Sequence, residues 1–272
     1  YKVFMDEKEF LNNKNLNIVV IATPPALHYK HAKASLLKGK NIIVEKPITI
    51  NIDDTRDLLM IAKKLNLLMI EAYYYKIHKQ YKIIKSIFLN HKSKPLSIIS
   101  RFGIPKLQRS SFRDKKSLGG SVFWDVGCYP ISIVSDFFDL SSLKINFTNI
   151  HTPQNSNIDI NGITILSTEY NQNIYLEWNM GYSYQNSIEI WNDQFYIKSK
   201  YIFSKPQNLE IYIDNYDKSG KKNTQKINNE NSIDLFYKNI SYNLLSKHFK
   251  KTCLYEIDKL ANLQNKILIS EK

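Results

Sequence analysis

The stretch NIVVIATPPALHYKHAKASLLKGKNIIVEKP, residues 17–47, decides the fold. It opens with an apolar run that ends at residues 23–25, Thr-Pro-Pro, where no helix continues because proline lacks a backbone N–H. Residues 26–39 place apolar side chains at helical spacing and end in glycine, a helix stop signal. A second apolar run, residues 42–44, is followed at once by Glu45-Lys46-Pro47. The stretch therefore predicts a strand, a helix and a second strand.

The same alternation continues to residue 73. Residues 54–66 keep helical spacing, with Asp53 or Asp54 as the predicted N-cap, and residues 67–73 form a third strand-like run. Strands and helices that alternate through short connections imply a parallel sheet with right-handed crossovers. We therefore predict the later portion of a doubly wound, Rossmann-type domain over residues 1–72.

Beyond residue 73 the pattern changes to α+β. Short Ile-, Tyr- and Thr-rich runs over residues 144–215, separated by Asn, Asp and Gly, predict an open, mostly antiparallel sheet. Further predictions are a helix over 79–89, a strand over 95–103, turns at 171–173 and 191–194, a loop over 217–232, and final helices over 232–249 and 255–270. The predicted fold class is α/β. It combines a truncated Rossmann-type sheet with an α+β domain over residues 73–272 for substrate binding and oligomerisation.

Composition narrows the class of protein. Apolar residues make up 43% of the 272 residues, as in globular proteins. The two cysteines, Cys128 and Cys253, cannot build a disulfide framework, so a reducing compartment is the simpler interpretation. No apolar run has the length of a membrane span, and the first residues lack the form of a signal peptide. We therefore predict a cytoplasmic protein without a membrane partner; because residue 1 is Tyr, we also expect a longer or processed translated chain.

The positive net charge raises the question of nucleic acid. The chain carries a formal charge of +13, but its lysines are scattered, and it has no zinc-finger or RNP-like motif. We predict no nucleic-acid partner. A basic stripe along one face of the folded protein would be needed to revive that alternative.

Charged side chains at the end of a buried strand need an explanation. Glu45 and Lys46 directly follow the second apolar run, where burial is costly unless the charges are paired or used. In open parallel sheets, ligands bind at the C-terminal ends of the strands. The position therefore predicts a functional site.

A second stretch, SFRDKKSLGGSVFWDVGCYPISIVSDFF at residues 111–138, supplies possible partners. Asp125 and Tyr129 stand four apart and share one face if the run is helical, although Pro130 kinks or restarts that helix. A phenol, a carboxylate and a lysine form a proton-transfer set. The pKa of tyrosine is ordinarily about 10, and an ammonium such as that of Lys46 lowers it.

These two motifs together resemble the Gfo/Idh/MocA family of NAD(P)-dependent oxidoreductases. The Tyr in DVGCYP, where many members have His, makes the chain most similar to the subgroup of glucose–fructose oxidoreductase, sugar 1-dehydrogenases and dimeric dihydrodiol dehydrogenase. The stretch IEAYYYKIHKQ also resembles that subgroup, although Lys76 and Lys79 stand where Arg and Pro are usual. The resemblance covers essentially the whole chain.

The resemblance implies hydride transfer between NAD or NADP and a hydroxyl-bearing carbon of a sugar or similar polyol. It implies a catalytic Lys46 close to the nicotinamide, Tyr129 as general acid or base, and Asp125 as the carboxylate that contacts substrate. Residues that fall in the implied cofactor cleft are Thr23, Pro24, His28, Glu45 and Lys46. A homo-oligomer, a dimer in the simplest form, is predicted through the outer face of the open sheet.

One family feature is absent from the sequence. The glycine-rich turn G-x-G-x-x-G, which cradles the pyrophosphate at a helix N-terminus, does not occur, and the motifs align the chain from near the third Rossmann strand. The residue that selects NAD or NADP is absent with it. The alternative function is therefore a non-catalytic remnant or binding module without a working cofactor site.

Each candidate residue also has a structural interpretation. Lys46 could pair with Glu45, Asp125 could cap a helix, and Tyr129 could be a half-buried aromatic residue with a local hydroxyl partner. For His28 a capping or solvated role competes with cofactor contact. His78 is predicted to be structural and Cys128 to be a small core residue. No Cys/His spacing supports a metal site.

Overall fold

The computed structural model of the chain describes residues 2–106, 111–206 and 208–271, which form two β-sheets and seven α-helices. The strands are β1 (Ile18–Ile21), β2 (Asn41–Val44), β3 (Met69–Glu71), β4 (Leu96–Ile104), β5 (Lys144–His151), β6 (Asn161–Ser167), β7 (Gln172–Met180), β8 (Gln185–Trp191), β9 (Phe195–Lys200), β10 (Ile211–Asp217) and β11 (Lys222–Ile227). The helices are α1 (Glu7–Leu11), α2 (His28–Leu37), α3 (Ile52–Leu65), α4 (Lys79–Leu89), α5 (Cys128–Phe137), α6 (Ser232–Asn243) and α7 (Lys247–Ile269).

The first sheet is parallel and has the order β1-β2-β3, as predicted. The helices α2 and α3 make the crossovers, and α2 is followed by Gly39 at φ +70°, a left-handed conformation that favours glycine. The predicted cap of α3 is wrong. The Asn51 side chain, not Asp53 or Asp54, accepts the backbone N–H groups of the first turn. Asn51 precedes the helix in an extended conformation, which is where a capping side chain must lie.

The central strand of this sheet is buried on both faces. On one face, Ile42 and Val44 are fully buried in a core with Leu36 of α2 and Leu58 of α3. On the other face, Ile43 is buried in a core with Phe236 of α6 and Cys253 of α7. Such burial explains the continuous apolar run of β2, which is typical of strands in parallel sheets. It also places the residues that follow β2 at the C-terminal edge of the sheet.

The second sheet has eight strands in the order β11-β10-β9-β8-β4-β7-β6-β5. All neighbours are antiparallel except β4 and β7, which run parallel, so the expected open, mostly antiparallel sheet is confirmed. One face packs against α5 and α4 through a large apolar core that includes Trp178 and Phe88. On the other face, β7 alternates and leaves Tyr175 and Glu177 largely exposed.

Two predictions for the C-terminal part are wrong. Residues 217–232 are not all loop, because β11 pairs with β10 along its whole length. Its side chains are exposed except for Ile227. The strand therefore lacks the alternation of apolar and polar residues from which a strand is predicted. The final helix begins at Lys247 rather than residue 255, capped by the Ser246 side chain. A turn precedes β7 as expected, but it lies at residues 168–171 rather than 171–173, with Asn171 at φ +55° and β7 beginning at Gln172.

Helix α7 contacts both sheets. Its Ile257 is buried in the core of the first sheet, whereas Leu260 and Leu263 are buried in the core of the second. A domain boundary between residues 72 and 73 remains a prediction. Within the ranges given above, no helix is both long enough and apolar enough to cross a membrane.

Candidate active site

Lys46 lies directly after β2 and points to Asp125. Its Nζ donates to Asp125 Oδ1 at 2.7 Å and to the Asp125 carbonyl oxygen at 2.6 Å, and only 12% of its side chain is exposed. The alternative pairing of Lys46 with Glu45 is wrong, because Glu45 accepts from the Tyr74 hydroxyl at 2.6 Å. Burial opposes the ammonium, but the adjacent Tyr129, Cys128 and Asp125 raise the pKa of Lys46 above its usual value. Lys46 is therefore charged at neutral pH.

Asp125 is held by two cations. In addition to Lys46, the Arg113 guanidinium donates through Nε to Oδ2 and through Nη2 to Oδ1 at 3.3 Å. The capping alternative for Asp125 is wrong, since both carboxylate oxygens are engaged by these side chains. Burial alone would raise the pKa of Asp125, but the charges of Lys46 and Arg113 outweigh it and lower that pKa. The carboxylate is ionised.

Tyr129 lies one turn beyond Asp125 with its ring beneath the ammonium. Lys46 Nζ is 4.9 Å from the ring centroid, and the rings of Phe102 and Phe203 contact it edge-on or tilted at 5.0 and 5.5 Å. Among the described residues, no hydrogen-bond partner of the Tyr129 hydroxyl exists. The expected lowering of its pKa is wrong in net effect: burial raises the pKa of Tyr129 to about 12, and Lys46 offsets only part of this.

The helix that carries Asp125 and Tyr129 changes register between them. Residues Phe123–Gly127 form a π-helical turn, and α5 begins at Cys128. The expected break therefore falls before Cys128 and not at Pro130, which lies in the first turn of α5, where a missing N–H costs little. Such π-helical turns are frequent at functional sites.

The glycine pair at residues 119 and 120 lets two turns approach. Gly119 has φ +87°, and a Cβ on it would lie 2.9 Å from the Ala26 backbone nitrogen. A Cβ on Gly120 would lie 2.5 Å from the Arg113 carbonyl oxygen. Only glycine therefore allows the Arg113 turn to pack beside the turn that follows β1.

His28 joins the loops that follow β1 and β2. Its Nε2 lies 2.8 Å from the Thr23 carbonyl oxygen and its Nδ1 2.7 Å from the Pro47 carbonyl oxygen, and the ring is buried. The solvated and capping alternatives are therefore wrong. Burial lowers the pKa of His28, opposed by these two hydrogen bonds. Direct cofactor contact by the ring stays a prediction, since protein carbonyl groups already occupy both nitrogens.

Two other residues have the structural roles predicted for them. His78 is buried and accepts the Gln80 N–H at the start of α4, and burial lowers its pKa to about 4. Cys128 is fully buried, which raises the pKa of its thiol to about 12. Neither residue has the properties of a reactive group.

Tyr129 opens onto a cavity of about 530 Å³. Residues lining it include Tyr74, Tyr75, Tyr129, Phe203, Lys205 and Asn231. In the described ranges, no cluster of three His, Cys, Asp or Glu residues is arranged to hold a metal ion. Sequence reasoning did not single out Arg113 or Lys205, because neither belongs to a motif. In the sequence, only the glycine pair at residues 119 and 120 indicated that a chain segment packs closely beside the site.

Comparison with known proteins relates the N-terminal part of the chain to one family. Residues 1–73 match the family model GFO_IDH_MocA, an oxidoreductase family with an NAD-binding Rossmann fold. This segment of the chain is therefore similar to the NAD-binding domain of that family. Characterised enzymes match beyond that segment. A dTDP-3,4-didehydro-2,6-dideoxy-alpha-D-glucose 3-reductase from Saccharopolyspora spinosa is 26% identical over 207 residues, or 76% of this chain and 62% of that protein.

Two further relatives extend the comparison. A trans-1,2-dihydrobenzene-1,2-diol dehydrogenase from Xenopus laevis is 24% identical over 139 residues, or 51% of this chain and 42% of that protein. The crystal structure of a 3-ketoreductase from Actinomadura kijaniata, in complex with NADP and TDP-benzene, matches with a TM-score of 0.89 and 18% identity over 97% of this chain and 81% of the other. This structural likeness shows the fold. The chain spans 62% of the length of the Saccharopolyspora reductase, so less than two thirds.

One buried hydroxyl at the C-terminal edge of the first sheet bears on the fit of a dinucleotide. The Thr23 hydroxyl, at the C-terminal end of β1, is buried and has no hydrogen-bond partner in the described part of the chain. An unpartnered buried hydroxyl suits a polar ligand group there. The 272 residues contain no G-x-G-x-x-G turn, so they supply no such cradle for a pyrophosphate, and contact with the nicotinamide side stays a prediction.

Proposed function

We propose that this protein works as an NAD(P)-dependent oxidoreductase on a hydroxyl-bearing carbon of a sugar or similar polyol. The observation that carries the proposal is the cluster of Lys46, Asp125 and Tyr129 at the C-terminal edge of the parallel sheet. Lys46 and Asp125 are hydrogen-bonded across 79 positions of sequence, and Tyr129 lies beneath the ammonium and lines a cavity. Structural residues rarely combine a buried ion pair, an unbonded phenol and a cavity.

Three side chains of the site have separate roles in the proposed proton transfer. With a pKa near 12, Tyr129 stays protonated at neutral pH, so it is suited to donate a proton to an oxygen that becomes negative during carbonyl reduction. The Lys46 ammonium stabilises negative charge at that oxygen and on the phenol. Asp125 fixes Lys46 and presents a carboxylate for a substrate hydroxyl. In the reverse direction Tyr129 receives the proton.

The proposed cofactor and substrate class are inferred from the related proteins. When bound, NAD or NADP supplies or accepts the hydride, and Thr23, Pro24, Glu45 and Lys46 are the residues proposed to hold its nicotinamide side. The dTDP-sugar reductases and dihydrodiol dehydrogenases among the relatives support a sugar, nucleotide sugar or cyclic diol as substrate. Reduction is the proposed direction, because the phenol is held protonated.

A fluorescence titration with NADPH and NADH tests the cofactor site. We expect saturable binding by the wild-type chain and at least tenfold weaker binding by Lys46→Ala. The matched control is Lys64→Ala, at an exposed position of α3, which should bind as the wild type does. If a folded wild-type chain binds neither dinucleotide, the alternative of a non-catalytic remnant or binding module is supported.

A Tyr129→Phe substitution tests the proton donor. We expect the rate of NADPH-dependent carbonyl reduction to fall by about 100-fold or more, the usual contribution of a general acid, with dinucleotide affinity unchanged. Tyr75→Phe is the control, because Tyr75 lines the same cavity but its hydroxyl is hydrogen-bonded to Ser132 at 2.7 Å. Equal losses in both variants would refute the assignment.

We propose a homo-oligomer and a cytoplasmic location as part of the same function. The uncovered face of the second sheet carries half-exposed Ile163, Ile165 and Tyr175 beside the Arg101–Glu177 ion pair, which suits an interface of moderate polarity. Cys128 and Cys253 are buried and unpaired, which agrees with a reducing compartment.

A further inference from the structure

Lys205 occupies an unusual position for a lysine. It lines the cavity onto which Tyr129 opens, and Phe203, two residues earlier, contacts the Tyr129 ring at 5.5 Å. Its Nζ donates to the Ile202 carbonyl oxygen at 2.7 Å, which uses one of three donors. The remaining donors belong to a half-buried side chain that lines the same cavity as the proposed proton donor.

The ammonium of Lys205 has no counter-ion within the described ranges. No carboxylate there lies within ion-pair distance of it, whereas Lys46 has Asp125 at 2.7 Å and Lys76 has Asp136 at 3.1 Å. Burial of a cation without a partner is costly unless a ligand or proton loss compensates it. Accordingly, burial lowers the pKa of Lys205 to about 7.

The other charged groups around the cavity do not neutralise Lys205. His78, whose pKa is lowered by burial and further by Lys205, is neutral at pH 7. Glu230 lines the cavity but is exposed, so water screens its carboxylate. Tyr74 and Tyr129 both have raised pKa values and are uncharged. An anion that entered the cavity would therefore find one cation with donors to spare.

We propose that the substrate carries an acidic group, a phosphate or a carboxylate, and that the Lys205 ammonium binds it in the cavity that Tyr129 lines. The inference rests on the proposed function, since it names the substrate class of that site. It separates acidic sugars and nucleotide sugars from the neutral sugars and diols that the proposed function also admits. Lys205 would thus be a specificity-determining residue.

Calorimetric titration of the 272-residue chain without dinucleotide tests the inference. The probes are dTDP-glucose for the phosphate source, D-glucuronate for the carboxylate source and D-glucose as the neutral reference. The charge of all three is constant from pH 6 to pH 8. The variants are Lys205→Met, which removes the charge at similar volume, and Lys205→Arg, which keeps a charge that does not titrate in this range.

We expect one acidic probe to bind the wild-type chain, with an affinity that falls several-fold between pH 6 and pH 8 as Lys205 loses its proton. Lys205→Met should weaken binding at least tenfold, and Lys205→Arg should bind without that pH dependence. Thermal unfolding should show Lys205→Met to be as stable as the wild type or more so, because no ion pair is broken. Which of dTDP-glucose and D-glucuronate binds identifies the source of the acidic group.

Three results would overturn the inference. The first is that Lys205→Met binds the acidic probes as tightly as the wild type does. The second is that the wild type binds D-glucose as tightly as it binds the acidic probes. The third is that the folded wild-type chain binds neither acidic probe. Because NAD(P) is absent from these titrations, a failure here is independent of a failure of the dinucleotide titration.

Discussion

Asp125 is the residue on which the charge balance of the site depends. It faces both Lys46 and Arg113, and only 10% of its side chain is exposed. We expect Asp125→Asn to lower the free energy of unfolding by about 3 kcal/mol, because two cations then lack their anion. Urea denaturation measures the change. In the control, Asp53→Asn, the lost pair with Arg56 is exposed, and a loss of at most about 1 kcal/mol is expected. Similar losses in the two variants would contradict the account.

Single residues also show what a sequence can and cannot predict. Lys46, Asp125 and Tyr129 were predictable because motifs mark them, and the structure brings them together. Arg113 and Lys205 were not, since their importance arises from contacts and burial that no local pattern encodes. The pKa of Tyr129 was mispredicted for the same reason. The lysine was foreseen, but the burial that outweighs it depends on residues far along the chain.

Among the structural elements, the turn that holds Arg113 depends on Gly120. An added Cβ would lie 2.5 Å from the Arg113 carbonyl oxygen, so Gly120→Ala must displace backbone. We expect a loss of about 2 kcal/mol or more in unfolding free energy, together with weaker substrate or probe binding. Gly103→Ala in β4 is the control, since its Cβ would meet neighbours only at 3.7 Å. A Gly120→Ala protein as stable as this control would disprove the packing argument.

Helices α4 and α5 are connected by a buried carboxylate, Asp136. It accepts from the Tyr81 hydroxyl at 2.6 Å and pairs with Lys76 at 3.1 Å and Lys85 at 3.4 Å. Burial alone would raise its pKa, but these two cations outweigh it and lower the pKa from 3.8 to about 2. The pair stabilises the fold fully above pH 4, and this stabilisation is lost as the pH falls towards 2.

A pH series of urea denaturation tests the role of Asp136. The pKa shift, from 3.8 to about 2, corresponds to about 2–3 kcal/mol at roughly 1.4 kcal/mol per unit, and this part of the stability should vanish in acid. Asp136→Asn should be less stable than the wild type at pH 7, and the gap should narrow below pH 4. A gap that is constant with pH would mean that Asp136 stays ionised in both states or contributes only packing.

Helices and strands were predictable where burial imposes a regular spacing of apolar residues along the sequence. The strands β1 to β3 and helices α2 and α3 follow from continuous apolar runs and helical spacing that end at Pro or Gly. Strand β11 was not predictable, because its exposed residues gain their structure from hydrogen bonds to β10 and not from their own pattern. Caps such as Asn51 depend on the local backbone, which sequence fixes only to within a few residues.

At the scale of the whole molecule, the uncovered face of the second sheet is the proposed oligomer interface. We expect light scattering after gel filtration to give at least twice the chain mass of 31.9 kDa for the wild type. Tyr175→Glu, in the middle of the face, should shift the mass towards that of one chain, because it buries a charge at the interface. Met60→Glu, exposed on α3, should leave the mass unchanged. A wild-type mass of about 32 kDa would refute the proposed interface.

Helix α7 also sets the order in which the protein is completed during synthesis. The first sheet has all its strands once residue 71 is made, yet its core and the adjacent core of the second sheet need Ile257 and Leu260 to close them. At about 5–20 residues per second, the roughly 180 intervening residues take about 10 to 35 seconds to translate. For that interval the nascent chain exposes apolar surface that α7 later covers, so its yield in the cell should depend on chaperones that act on ribosome-bound chains.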